Sequence, residues 1–201
     1  RHSQCDLHRT TDILQKPELA AKCSVPFAQG GARNVRCCTS DLTLAEFRQL
    51  RGRHDHVKRS AGKLEDYLEP APETPHQWGT LMTHRESISL FKELGVGFIP
   101  ELKKPQVQMP FAGGYSQEAY AAQLVEDYRR AGVDMERVWL QSFNLDDIWF
   151  WLETAPTLAD RIIYLDGRYR NDRFDPSRAS TWQPGMAALK ARGLNVIAPQ
   201  L

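Results

Sequence analysis

Hydrophobic and polar positions change rhythm near residue 80. Beyond it, apolar residues recur at helical spacing and alternate with short apolar runs. Before it, they are scattered among polar and turn residues. Ile88, Phe91 and Leu94 share one side of a predicted helix; Thr83 and Glu86 form its capping box and Gly95 closes it. Next comes Val96-Gly97-Phe98-Ile99-Pro100-Glu101-Leu102-Lys103-Lys104-Pro105. A short apolar run bounded by turn residues predicts a buried strand. Side chains alternate along a strand, so Glu101 and Lys103 are expected to point the same way. Residues 106–114 predict a loop with a flexible Gly113-Gly114 pair. Ser116 is placed to cap a helix running to about residue 131, with Tyr120, Leu124 and Tyr128 on one side and Gly132 at its end. Residues 137–143 predict a strand, Asn144 caps a helix over about 145–153, and 161–165 predict a further strand. A loop rich in Arg, Asn and Asp covers 167–178. Pro184 suits the first turn of a helix ending at Gly193, and 195–199 predict a last strand.

Strand and helix therefore alternate, which argues for parallel βα units in an α/β fold. That fold is either a (β/α)8 barrel or a doubly wound sheet. No strand is followed by G-x-G-x-x-G or G-x-x-x-x-G-K, which weighs against a nucleotide-binding doubly wound fold. Four strands cannot close a barrel that needs eight, so either further strands lie outside this chain or the fold is open. At the carboxyl end of a parallel strand, Glu101 and Lys103 face the end where such folds carry their sites. The ordinary alternative is an edge strand running out into solvent.

Residues 1–79 read as irregular. One helix stands out there: Thr43 with Glu46 forms a capping box, Leu44, Phe47 and Leu50 give an apolar side, and Gly52 can end it. A basic patch covers 51–59 and a proline-rich stretch 69–75. All four cysteines, Cys5, Cys23, Cys37 and Cys38, fall in this part. Their even number and clustering predict local disulfides and an oxidising compartment, with three pairings open. A zinc site is the weaker alternative, since no C-x-x-C pair is present, and reduced packing cysteines are a third. With 26 Lys and Arg against 25 Asp and Glu, no broad electrostatic case exists for nucleic acid or an anionic membrane. No apolar run is long enough to cross a bilayer. His54 and His56, flanking Asp55, read as solvated residues of a basic loop, and His76 and His84 have no partner at ligand spacing. Trp139, Trp149 and Trp151 read as core. Gln141, at the end of its strand, either faces a site or bonds a neighbouring segment.

Several segments, in order, resemble the glycerophosphodiester phosphodiesterase family. His2-Ser3-Gln4-Cys5-Asp6-Leu7-His8-Arg9-Thr10-Thr11 is similar to the family's H-D-x-x-L-x-R-T-T segment. Leu42-Thr43-Leu44-Ala45-Glu46-Phe47 is similar to its helix-opening threonine-leucine segment. Phe98-Ile99-Pro100-Glu101-Leu102-Lys103-Lys104-Pro105 is similar to a strand ending I-E-x-K-x-P, and Gln141-Ser142-Phe143 to its Q-S-F strand. The resemblance implies a (β/α)8 TIM barrel, incomplete in this chain. About strands three to six lie in 80–201, and 1–79 form a loop-rich, cysteine-containing insertion that could serve as a lid. The family's histidine-arginine strand and its Glu-x-Asp strand would precede Arg1, and its last strands would follow Leu201. Ser3 stands where the family usually has aspartate.

The implied activity is metal-dependent hydrolysis of a small-molecule glycerophosphodiester to glycerol 3-phosphate and an alcohol, in a secreted or periplasmic protein. Glu101 would be a ligand of Ca2+ or Mg2+, His2 one of two catalytic histidines, Lys103 a point charge on a phosphate oxygen and Gln141 a substrate contact. The family pattern has the substrate's own neighbouring hydroxyl attack first, giving a cyclic phosphate that water opens. These residue types suit the chemistry, because carboxylates hold hard divalent ions and histidine exchanges protons near neutrality. With one metal carboxylate and one histidine, this stretch alone is expected to be inactive. Two rivals stand beside this reading. One is a non-catalytic binding or surface protein of the same fold, which Ser3 favours. The other is a related phospholipase acting on lysolipid or sphingolipid head groups.

Overall fold

The structure is a computed structural model and describes residues 4–55, 57–68 and 78–199. The chain divides into two compact units, Arg1–Thr83 and His84–Leu201, four residues beyond the change of texture near 79.

The second unit is α/β. Its strands Leu140–Ser142, Ile162–Asp166 and Val196–Pro199 are parallel and lie side by side in chain order. Sequential order without reversal is the singly wound arrangement; a doubly wound sheet has a switch point. Residues 98–102 pair alongside Leu140–Ser142 through two parallel bridges, Phe98 with Val138 and Glu101 with Gln141. Phe98 N–H donates to Arg137 O (2.9 Å), Trp139 N–H to Phe98 O (2.8 Å), Gln141 N–H to Pro100 O (3.0 Å) and Leu102 N–H to Gln141 O (2.9 Å). The rung between them is missing because Pro100 has no N–H to give. The predicted strand is thus present as an in-register segment broken at one residue. The next is shorter than predicted: Met135–Arg137 is a 3-10 turn and the strand begins at Leu140. Among the described residues the sheet does not close into a barrel.

Helix His84–Glu93 precedes residues 98–102, and helices Gln117–Arg130, Leu145–Thr154 and Met186–Ala191 connect the strands in turn. Ser116 and Asn144 act as the expected caps, accepting from Ala119 N–H (3.1 Å) and Asp146 N–H (3.2 Å). Gly95 and Gly132 close the first two helices at positive φ (68° and 62°), and Val96 and Val133 N–H bond back to Phe91 and Tyr128 carbonyls. Two details refine this picture. Of Ile88, Phe91 and Leu94, only Ile88 is buried, so that helix touches the core along a narrow line. Pro184 precedes the last helix, which starts at Met186 after Gly185.

One face of the sheet is covered by helices. Phe98, Leu102, Val138, Leu140, Ile162 and Tyr164 pack there with Ile88, Leu124, Val125, Tyr128, Ile148, Trp151 and Leu189. Trp151 is fully buried, and its indole N–H donates to Ala121 O (3.0 Å). The alternate residues of the strands face the other way, and among them Ile99, Trp139 and Phe143 are exposed.

The first unit is built from short helices, including Leu7–Thr10, Pro17–Ala20, Phe27–Asn34, Leu44–Phe47 and Leu64–Tyr67, and a two-residue antiparallel pair, Arg51–Gly52 with Gly79–Thr80. The Thr43–Glu46 capping box forms as read, with Thr43 N–H donating to Glu46 (2.9 Å) and Glu46 N–H to Thr43 Oγ1 (3.3 Å). The helix stops at Phe47, however, and Gly52 lies in the strand pair instead of ending it. Disulfides join Cys5 to Cys38 and Cys23 to Cys37, so the two adjacent cysteines bond to different partners. Leu7, Ile13, Leu14, Leu19, Val35, Leu50 and Tyr67 form one core with Cys23 and Cys37.

Candidate active site at the strand carboxyl ends

The register sets Glu101, Gln141, Ile163 and Val196 side by side across the sheet. In parallel strands, residues in one row face the same way, here away from the helices. Glu101 is held by the flanking backbone bonds of Pro100 and Leu102 to Gln141. Lys103, two residues on, lies on the same face, and its Nζ donates to Glu101 Oε2 at 2.6 Å. The side chains keep 35% and 21% exposure, so the pair is open to an arriving ligand. Gln141 Nε2 donates to Ile99 O (3.1 Å). Its amide therefore braces the neighbouring segment as well as standing beside Glu101.

Behind this row lies a buried polar network. Ser142 Oγ lies 2.9 Å from Asp147 Oδ2 and 3.3 Å from Leu102 O, and accepts from Asn144 N–H (3.0 Å). Gln117 Nε2 donates to the other Asp147 oxygen (2.7 Å). Burial pushes the Asp147 carboxyl above its ordinary range, and the bonds from Gln117, Ser142 and Asn144 counter this in part. Asp147 thus ties the strand ends to two helices. No sequence signal marks it, since a carboxylate near a helix start reads as an ordinary first-turn residue.

At the end of Ile162–Asp166, Arg168 grips Asp166 with two nitrogens, Nε to Oδ1 (2.9 Å) and Nη2 to Oδ2 (2.7 Å), and its Nη1 donates to Pro184 O (2.8 Å). Burial raises the Asp166 carboxyl, but the Arg168 bonds and charge outweigh it and hold the group below the ordinary carboxylate range. A larger cleft of about 720 Å³ runs beside Gln117–Arg130 and Leu145–Thr154. It belongs to the helical layer and is lined by helix flanks, not by strand ends.

His2, His56 and His76 lie outside the described residues. Among the described residues, no group of three or more His, Cys, Asp or Glu side chains could hold a metal ion. Glu101 offers one carboxylate, and Lys103 engages it. These residues therefore do not by themselves form a site for Ca2+ or Mg2+.

No protein-family model matches the chain. Over 121 residues it is 42% identical to a protein of Arthroderma benhamiae named "Extracellular protein", a match covering 60% of this chain and 48% of that protein. The chain thus spans about half the length of the curated relative it matches. Among solved structures it is similar to a glycerophosphodiester phosphodiesterase from Parabacteroides distasonis, with a TM-score of 0.42 and 18% identity over 75% of this chain and 54% of that one.

Proposed function

We propose that this chain is part of a secreted phosphoric diester hydrolase acting on small glycerophosphodiesters and releasing glycerol 3-phosphate and an alcohol. The observation that carries the reading is the Glu101–Lys103 pair, 2.6 Å apart on the face of a singly wound parallel sheet opposite its helical core. Lys103 presents a mobile point charge that can transfer from the carboxylate to a phosphoryl oxygen. Glu101 orients that ammonium until the phosphate arrives, and Asp147 with Ser142 fixes the strand ends from behind. His2 is proposed as the proton-transferring group, in keeping with histidine's titration near neutrality. A divalent ion remains part of the proposal for the complete protein, with Glu101 as one ligand, and no step here depends on it. Two disulfides and the extracellular name of the matched relative support secretion. No described helix is long and apolar enough to cross a membrane. One observation favours a non-catalytic binding protein instead: the Glu101 carboxylate is already taken up by Lys103 and no described acidic cluster surrounds it.

The test is hydrolysis of glycerophosphocholine by the full-length gene product, with Ca2+ or Mg2+ supplied and after chelation. Turnover is expected. Glu101→Gln is expected to lower kcat/KM by about a hundredfold or more, the scale of losing one preorganised electrostatic group. Absence of turnover with every glycerophosphodiester and both ions sinks the assignment. An unchanged rate in Glu101→Gln removes that residue from the site.

A further inference from the structure

A second cavity, of about 330 Å³, lies where Ile162–Asp166 and Val196–Pro199 end. Its walls include Tyr169, Phe174, Trp182, Met186 and Ile197, with Arg168 and Asp166 at the polar side. Ile197 packs with the helical core, so the cavity lies on the helix-facing side of the sheet edge, away from the face that carries Glu101. It is a separate site. Its volume falls at the small end of the range for ligand pockets.

The chemistry of the walls narrows the ligand. A cation is disfavoured because Arg168 already lies over Phe174 and Trp182, 5.8 and 5.5 Å from the ring centroids. An anion is disfavoured because Arg168 is neutralised by the bidentate Asp166 pair and donates to Pro184 O as well. The surface that remains is apolar and uncharged. The loop that forms it is braced by its own bonds: Trp182 Nε1 donates to Asp175 O (2.9 Å) and Asp175 N–H to Thr181 Oγ1 (2.9 Å). The wall therefore stands without a ligand. At the mouth, Tyr169 and Met186 are each 43% exposed.

We infer that this pocket binds an alkyl chain, supplied either by a monomeric lipid-like molecule or by a lipid surface. The inference does not rest on the phosphodiesterase reading, because affinity can be measured without turnover.

The experiment is isothermal titration of the full-length gene product with alkyl phosphocholines from butyl to octyl, each kept below its micelle concentration. A vesicle sedimentation arm with phosphatidylcholine runs beside it. Affinity is expected to tighten about fourfold per added methylene, the factor that burial of one CH2 gives. Trp182→Ala is expected to flatten that dependence. Met186→Gln, a near-isosteric change at the exposed mouth, is expected to weaken the longer chains with the melting temperature unchanged. Chain-length dependence with sedimentation supports the pocket with a membrane as source, and dependence without sedimentation supports it with a monomer as source. Equal affinity at every length overturns the inference, as does a dependence that survives both substitutions, or sedimentation with no dependence.

Discussion

Removing the Cys5–Cys38 disulfide should destabilise the Arg1–Thr83 unit more than removing Cys23–Cys37. Among the described residues the unit's α-helices have four residues each, except Phe27–Asn34, which a non-helical Gly31 interrupts, and such lengths do not persist without tertiary support. Its core is small, and a core in a unit of this size contributes roughly 3–5 kcal/mol at most. The two bridges close loops of sequence separation 33 and 14. On the chain-entropy relation these correspond to about 3.7 and about 3.0 kcal/mol, less than additive because the smaller loop lies inside the larger. Either loss is comparable with the whole contribution of the core. All four cysteines are buried, so replacing each pair by alanine creates similar cavities and the comparison isolates the loops. The assay is urea unfolding followed by hydrogen exchange over Leu7–Thr10 and Leu64–Tyr67 in the two double variants. Both should lose protection, and the Cys5→Ala/Cys38→Ala variant should lose more. Protection equal to the parent in either variant, or the reverse ordering, would refute the reasoning.

Three further outcomes follow from buried polar groups and packing. Burial, and then the charge of Arg9, hold the His8 imidazole down at about 4. The folded value lies below the unfolded 6.5, so this contribution to stability is complete above about pH 6.5 and is lost as pH falls towards 4. His8→Gln should flatten the urea midpoint over that window, and an unchanged slope would count against it. Trp151→Ala should cost roughly 3–5 kcal/mol as a core truncation that also leaves the Ala121 carbonyl without its donor. Trp151→Phe keeps most of the packing but also removes that donor, so it should lose roughly 1–3 kcal/mol, and thermal melts of the two variants check the gap. Arg168→Met should cost roughly 3–5 kcal/mol by leaving the buried Asp166 uncompensated. Arg168→Met/Asp166→Leu should recover much of that in the same melt, whereas Arg168→Lys should not restore the bidentate grip.

What the sequence made legible was local. The strand at 162–166 announces itself by its apolar run, and the caps at Thr43, Ser116 and Asn144 by their side chains, because each signal lies within one turn of the element it sets. The pairing of Cys5 with Cys38 and Cys23 with Cys37 was not legible, since it depends on which distant segments meet. Four-residue helices such as Pro17–Ala20 carry too little periodicity to register. The candidate site divides in the same way. Glu101 and Lys103 were readable as a same-side pair from their spacing. The Asp147–Ser142 network arises from contacts with Gln117 and Leu102, 30 and 40 residues away in the chain, and was not readable from spacing.

Pro100 shows how one residue links these levels. It costs the sheet a rung beside Trp139, yet the register continues, because Phe98 and Leu102 bond on either side of it. A slip of one residue would turn Glu101 towards the helices and Leu102 outwards. Leu102 is almost fully buried against the helical core, and Ser142 approaches its carbonyl at 3.3 Å. Those contacts specify the register that the missing rung no longer enforces. The direction in which Glu101 and Lys103 point is therefore set by the apolar residue between them together with the backbone bonds that flank Glu101. Any variant of Leu102 that cannot fill that place puts the charged pair at risk before it touches either charge.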